Sequence, residues 1–125
     1  MADNFDAVDI LYGVINPFGV TTYKDKSPEG ITTEHIVVNS PSSGPSGYAT
    51  NDISVNVNVF VPVTPNGMPN RARFKTIRTG IKPLIEAANP SGYYCYVDPE
   101  FTALIENAKK GFDCFTMRYL ITLNK

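Results

Sequence analysis

With 125 residues, a net charge of -1 and 11 basic against 12 acidic side chains, the chain is sized for one domain with a modest core and is short for an enzyme with a deep cleft. The balance excludes an overall field that would draw it to nucleic acid or anionic lipid, so any such attraction must come from a local patch. No charged-then-apolar leader opens the sequence and no apolar run approaches the roughly 20 residues of a membrane span, so the expectation is a protein that stays in its producer's cytosol with Cys95 and Cys114 as thiols.

Asp3-Asn4 offers an N-cap, and Phe5, Val8, Leu11, Tyr12 and Ile15 follow at helical spacing with Asp6 and Asp9 early, where they complement the helix dipole. Asn16-Pro17-Phe18-Gly19 ends that helix, because the residue before a proline is pushed out of the α region. Val20 to Tyr23 and Ile31 to Val38 are β-prone and flank the polar stretch Lys24 to Gly30, a pattern that predicts a hairpin with a loose tip. The run Asn39 to Gly47 is small, polar and rich in breakers, so a flexible Ser/Pro/Gly-rich loop is expected over about 39–51.

The stretch from Asp52 to Ala88 organises the chain. Ile53, Val55, Val57, Val59 and Val61 alternate with polar residues as far as Phe60, the period of a strand with one face in a core and one face wet. Pro62 and Pro65 stop further pairing and Asn66-Gly67 supplies the reversal. From Asn70, an N-cap, Phe74, Ile77, Ile81, Leu84, Ile85 and Ala88 make a helical stripe that covers the sheet, with a kink expected near Gly80 and Pro83. Beside the stripe, Arg71, Lys75, Arg78 and Lys82 recur at steps of four, three and four and share one face. Such a row is either a solvated face shielding the core edge or a docking surface for an acidic partner or passing nucleic acid.

After the turn Asn89 to Gly92, the aromatics of Tyr93 to Val97 predict a strand. Phe101, Leu104, Ile105 and Ala108 have helical spacing, which predicts a short helix within Pro99 to Lys110. Phe115, Met117, Tyr119, Ile121 and Leu123 alternate with polar residues and predict a closing strand from Phe112 to Leu123. The sum is a single α+β domain over residues 1–125: a small antiparallel or mixed sheet packed by one long amphipathic helix and a short N-terminal helix.

His35 is the sole histidine, which excludes a histidine-rich metal site and a two-histidine catalytic arrangement. Cys95 and Cys114 sit among large apolar neighbours without C-x-x-C spacing, so both read as packed thiols, and His35 as a structural residue of its strand. Gly44 and Gly47 lack the helix and lysine of a phosphate loop. Asp98, Glu100, Asp113, Glu86 and Glu106 read as solvated. Tyr93, Tyr94 and Tyr96 have no interleaved basic residue, so a core face plus a rim or subunit contact suits them better than base stacking. No catalytic, cofactor or metal site is expected, and the interaction residues proposed are Arg71, Lys75, Arg78 and Lys82.

The order of elements, and above all Asn56-Val57-Asn58-Val59-Phe60-Val61-Pro62 followed by Asn66-Gly67-Met68-Pro69-Asn70-Arg71-Ala72-Arg73, resembles the tail-terminator and tail-completion proteins of tailed bacteriophages, the head–tail joining or neck group. The chain departs from that layout in the loop Asn39 to Gly47 and in Pro83. The resemblance implies a non-enzymatic virion protein, assembled in the host bacterial cytoplasm, that forms a hexameric ring capping the tail tube and joining it to the head connector. The partners it implies are further copies of the chain, tail-tube and head-connector proteins, and genomic DNA passing through the lumen without sequence-specific contact, with no membrane involved. The alternative is a small non-enzymatic ligand- or protein-binding α+β module, which would be a monomer with a concave apolar pocket.

Overall fold

A computed structural model describes residues 4–40, 52–90 and 94–124. Most of the Ser/Pro/Gly-rich loop, Asp3 and Tyr93 lie outside the described residues. Five strands form one mixed sheet in the order β1-β2-β3-β5-β4, where β1 is Thr22–Lys24, β2 His35–Asn39, β3 Asp52–Pro62, β4 Tyr94–Lys109 and β5 Phe112–Asn124. Helices α1 (Asn4–Ile15) and α2 (Arg71–Glu86) lie side by side on one face. The fold is α+β, although α2 at 16 residues is of moderate rather than great length.

The alternation in β3 does what its period requires. Val55, Val57, Val59 and Val61 are buried under the helices and meet Ile36 and Val38 of β2 and Met117, Tyr119 and Ile121 of β5. From α1, Ala7, Val8, Leu11 and Ile15 enter this core, while Phe5, expected on the stripe, stands exposed. From α2 come Phe74, Ile77, Ile81 and Ile85; Leu84 falls outside the stripe and is exposed.

Gly80 has a packing reason. The chain after α1 makes a single 3-10 turn, Asn16–Phe18, closed by Gly19 at φ 103°, and this turn lays the Phe18 ring against α2. A Cβ on Gly80 would run into the Phe18 ring at Cε1. The helix continues through Gly80 and Pro83 to Glu86, with Pro83 exposed in the last turns. Alanine at an ordinary helical glycine stabilises by up to about 1 kcal/mol. Gly80→Ala is expected instead to lower the melting temperature, because overpacking against Phe18 costs about 1–3 kcal/mol; Phe18→Ala in the same chain should recover part of that particular loss. A thermal melt in which Gly80→Ala alone raises the transition would contradict this packing.

Two elements differ from expectation. β1 and β2 are not a hairpin: they pair in parallel, Thr22 against Ile36 and Lys24 against Val38, with Asp25 N–H donating to the Val38 carbonyl at 2.8 Å. Residues 25–34 carry the chain back before it re-enters the sheet, helped by left-handed Asp25 and Gly30 at φ 68° and 82°. A hairpin loop is usually two to five residues, and this connection is too long to fix the strand sense from sequence.

The second difference is the expected helix over Pro99–Lys110, which is instead the distal half of β4, paired along β5. Register shifts between Pro99 and Phe101 and between Ile105 and Lys109 break the two-residue period. Phe101 and Leu104 thereby acquire helix-like spacing while lying opposite Arg118 and Phe115 on different faces of the sheet. Pro99 is tolerated because β4 is an outer strand.

Candidate functional site

The turn before α2 is tied down by its own side chains. Thr64 Oγ1 donates to the Met68 carbonyl at 2.6 Å, Met68 N–H donates to Asn66 Oδ1 at 3.1 Å, and Gly67 takes φ 78°. Asn70 then caps the helix, its Oδ1 accepting from Arg73 N–H at 3.2 Å. Arg73 Nε donates to both carboxylate oxygens of Glu34 at 2.8 and 3.0 Å, fastening the loop before β2 to the start of α2. These contacts fix which side of α2 looks outward.

On that side Arg71, Lys75, Arg78 and Lys82 are all exposed. Three of them are brought together: Arg71, Lys75 and Arg78 rim a groove of about 140 Å³ between α2 and β4, lined also by Phe74, Leu104 and Phe115. The Phe74 and Phe115 ring centroids are 6.1 Å apart. No carboxylate among the described residues lies within ion-pair distance of Arg71, Lys75 or Arg78, whereas Lys82 Nζ faces Glu86 at 3.9 Å, one turn on. The row thus divides into three cations around an apolar floor and one paired with its helix neighbour. Leu104 has the spacing of a helix, and the bulges that set its true facing leave no signal in the residue pattern.

The opposite sheet face carries a polar ladder rather than a uniformly wet surface. Thr116 Oγ1 donates to Asn58 Oδ1 at 2.9 Å, Asn58 Nδ2 donates to the Val37 carbonyl at 3.1 Å, and Arg118 Nε donates to Asn56 Oδ1 at 2.8 Å while stacking over Phe101. At one end His35, only 1% exposed, stacks on Phe60 at 4.9 Å and meets Phe112 edge-on at 5.1 Å. Its Nδ1–H donates to the Thr33 carbonyl and its Nε2 accepts from Lys109 Nζ, both at 2.9 Å. Lys109 also donates to Ser27 Oγ at 3.0 Å and sits over the Phe60 and Phe112 rings.

Both imidazole nitrogens are therefore occupied, and the ring has no free atom with which to act as a base. Cys114 is buried and Cys95 half-buried, and burial pushes both thiols above their ordinary values. Asp113, expected to be solvated, is buried instead: its Oδ1 accepts the Asn107 N–H at 2.8 Å and ties the second bulge to β5. The remaining carboxylates of the expected set, Glu86, Asp98, Glu100 and Glu106, are exposed. Among the described residues no group of three His, Cys, Asp or Glu side chains could hold a metal ion.

Burial, opposed by the Thr33 carbonyl and reinforced by the Lys109 charge, holds His35 below its ordinary value. The unfolded chain then takes up the proton first, so folding stability is complete above about pH 6.5 and falls as pH drops below that value. Urea midpoints are expected to decrease from pH 7.5 to pH 5, with a flatter profile in His35→Gln. A midpoint that rises on acidification would show that the ring is charged in the native state.

The arrangement defines a class: a sheet-and-two-helix α+β protein with a cation-rimmed apolar groove between α2 and β4. No protein-family model matches the chain, and no curated protein matches it. No helix among the described residues is long and apolar enough to cross a membrane.

Proposed function

We propose that this chain is a structural virion subunit of a tailed bacteriophage, a tail terminator or neck protein. In this reading it assembles into a ring, of six copies, that caps the tail tube and joins it to the head connector while genomic DNA passes through the lumen without sequence-specific contact. The family assignment rests on the resemblance of the Asn56–Pro62 and Asn66–Arg73 runs. The observation that carries the assembly is the outermost strand: Tyr96 (67%), Phe101 (47%), Leu104 (40%) and Ile105 (47%) stand exposed along β4, which is the last strand of the sheet among the described residues. Large apolar side chains grouped on one exposed strand mark a surface suited to burial against a partner.

The test is negative-stain microscopy of the concentrated protein, alone and with purified tail tubes. Rings with a central hole, or caps on tube ends, are expected. A protein that stays monomeric and leaves tubes undecorated would overturn the proposal. The groove supports a second reading, a monomeric module binding an anionic apolar ligand. That reading predicts saturable binding of such a ligand to a chain that never self-associates.

A further inference from the structure

α1 covers β1, β2 and β3, whereas α2 reaches from β3 to β4. In the sheet order β1-β2-β3-β5-β4 the groove between α2 and β4 therefore occupies one flank of the helical layer, and the free side of α1 occupies the other. On the α1 flank Phe5 is 69% exposed, the highest value for a large apolar side chain among the described residues. Asp9, one turn along the same stripe, is 2.8 Å from Lys24 of the edge strand β1. That contact turns the Phe5–Asp9 stripe toward the β1 side of α1.

The two flanks are complementary. One offers an aromatic knob beside the acids Asp6 and Asp9, of which Asp9 is paired with Lys24. The other offers an apolar floor of Phe74, Leu104 and Phe115 inside three cations without a described counter-ion. Its volume of about 140 Å³ is close to the roughly 150 Å³ of an apolar cavity that accepts benzene. A phosphate backbone would engage the rim but leave the floor uncovered, whereas an aromatic ring flanked by carboxylates engages both.

We infer that the groove receives Phe5 of a second copy of this chain, with Asp6 and Asp9 of that α1 set against Arg71, Lys75 and Arg78. The inference rests on the ring reading above and names its contact. Knob and groove lie on opposite flanks, so the contact is heterologous and propagates head to tail into a closed ring or an open filament.

The test is a chain carrying Phe5→Cys and Leu104→Cys together, oxidised mildly with copper phenanthroline at high concentration. The single variants serve as controls for the native Cys95 and Cys114. The expected result is a ladder on a denaturing gel, rising one chain at a time and ending at the ring's copy number, where each single variant stops at a dimer or below. Wild-type assembly without a ladder from the double variant, with Phe5→Ala still assembling at wild-type concentrations, would overturn the knob-in-groove contact and leave the ring reading standing, whereas loss of assembly in Phe5→Ala would support the contact. A ladder without a closed end would support the contact and count against a ring. A chain that is monomeric and gives no ladder would overturn both. Tight binding of a labelled acidic aromatic peptide together with no ladder would assign the groove to a foreign partner and likewise overturn the inference.

Discussion

Arg71→Glu together with Arg78→Glu is expected to abolish self-assembly at concentrations where the wild-type chain is fully assembled, while leaving the fold intact. Both side chains are exposed on α2 and rim the groove without a described ion pair, so the folded monomer loses little when they change. Surface substitutions of this kind usually stay within about 0.5 kcal/mol. In the assembled state the reversal places carboxylates beside the neighbour's Asp6 and Asp9, and like charges across an interface cost several kcal/mol. Since each 1.4 kcal/mol is a factor of ten, the concentration for half-assembly should rise at least about tenfold. Sedimentation velocity measures this, and circular dichroism checks that the helix content is retained. Lys82→Glu is the internal contrast: Lys82 faces Glu86 rather than the groove, so its reversal should shift assembly far less. Equal effects from the two variants would mean that the whole row acts as an undifferentiated positive face.

Phe112→Ala should cost about 3–5 kcal/mol of stability, the usual result of emptying a buried phenylalanine site. Small domains hold only about 5–15 kcal/mol in all. Phe112 is 4% exposed and meets His35 edge-on at 5.1 Å, Phe60 at 6.4 Å, and the Lys109 ammonium at 5.0 Å from its ring centroid. Removing the ring forfeits this packing and admits water to His35 and Lys109, which relieves the desolvation that keeps His35 neutral. The variant should therefore show a lower urea midpoint at pH 7.5 and also a shallower fall between pH 7.5 and pH 5. A large loss with the acid slope unchanged would mean that Phe112 contributes packing alone and that His35 is shielded by other groups.

Where one residue period ran unbroken, the sequence was sufficient. The valines of β3, the alternation of β5 and the stripe Phe74, Ile77, Ile81 and Ile85 of α2 each occur as their spacing dictates, because the burial of apolar surface outweighs every other local preference in all three. Where bulges interrupt the period, in β4, the spacing imitated a helix, and the strand became visible only through its pairing with β5. Strand sense was equally hidden for β1 and β2, since parallel and antiparallel partners of that length share the same composition. Asp113 is buried because a single backbone N–H, that of Asn107, is aimed at it, a contact set by the chain's path rather than by any motif. Of the site, the cations of α2 and the facing of Phe115 were legible, but Leu104, which with Phe115 turns that row into a groove, comes from the strand whose facing depends on the bulges. The reason for Gly80 was likewise out of reach, since it lies in Phe18, far away along the chain.

Native mass spectrometry of the wild-type chain across a concentration series measures assembly most directly. The expected record is a monomer at low concentration giving way to a single dominant species of six copies, with few intermediates, as ring closure requires. A monomer throughout the series, or a two-fold dimer that does not grow, would contradict it, the latter because the two complementary surfaces lie on opposite flanks of the subunit.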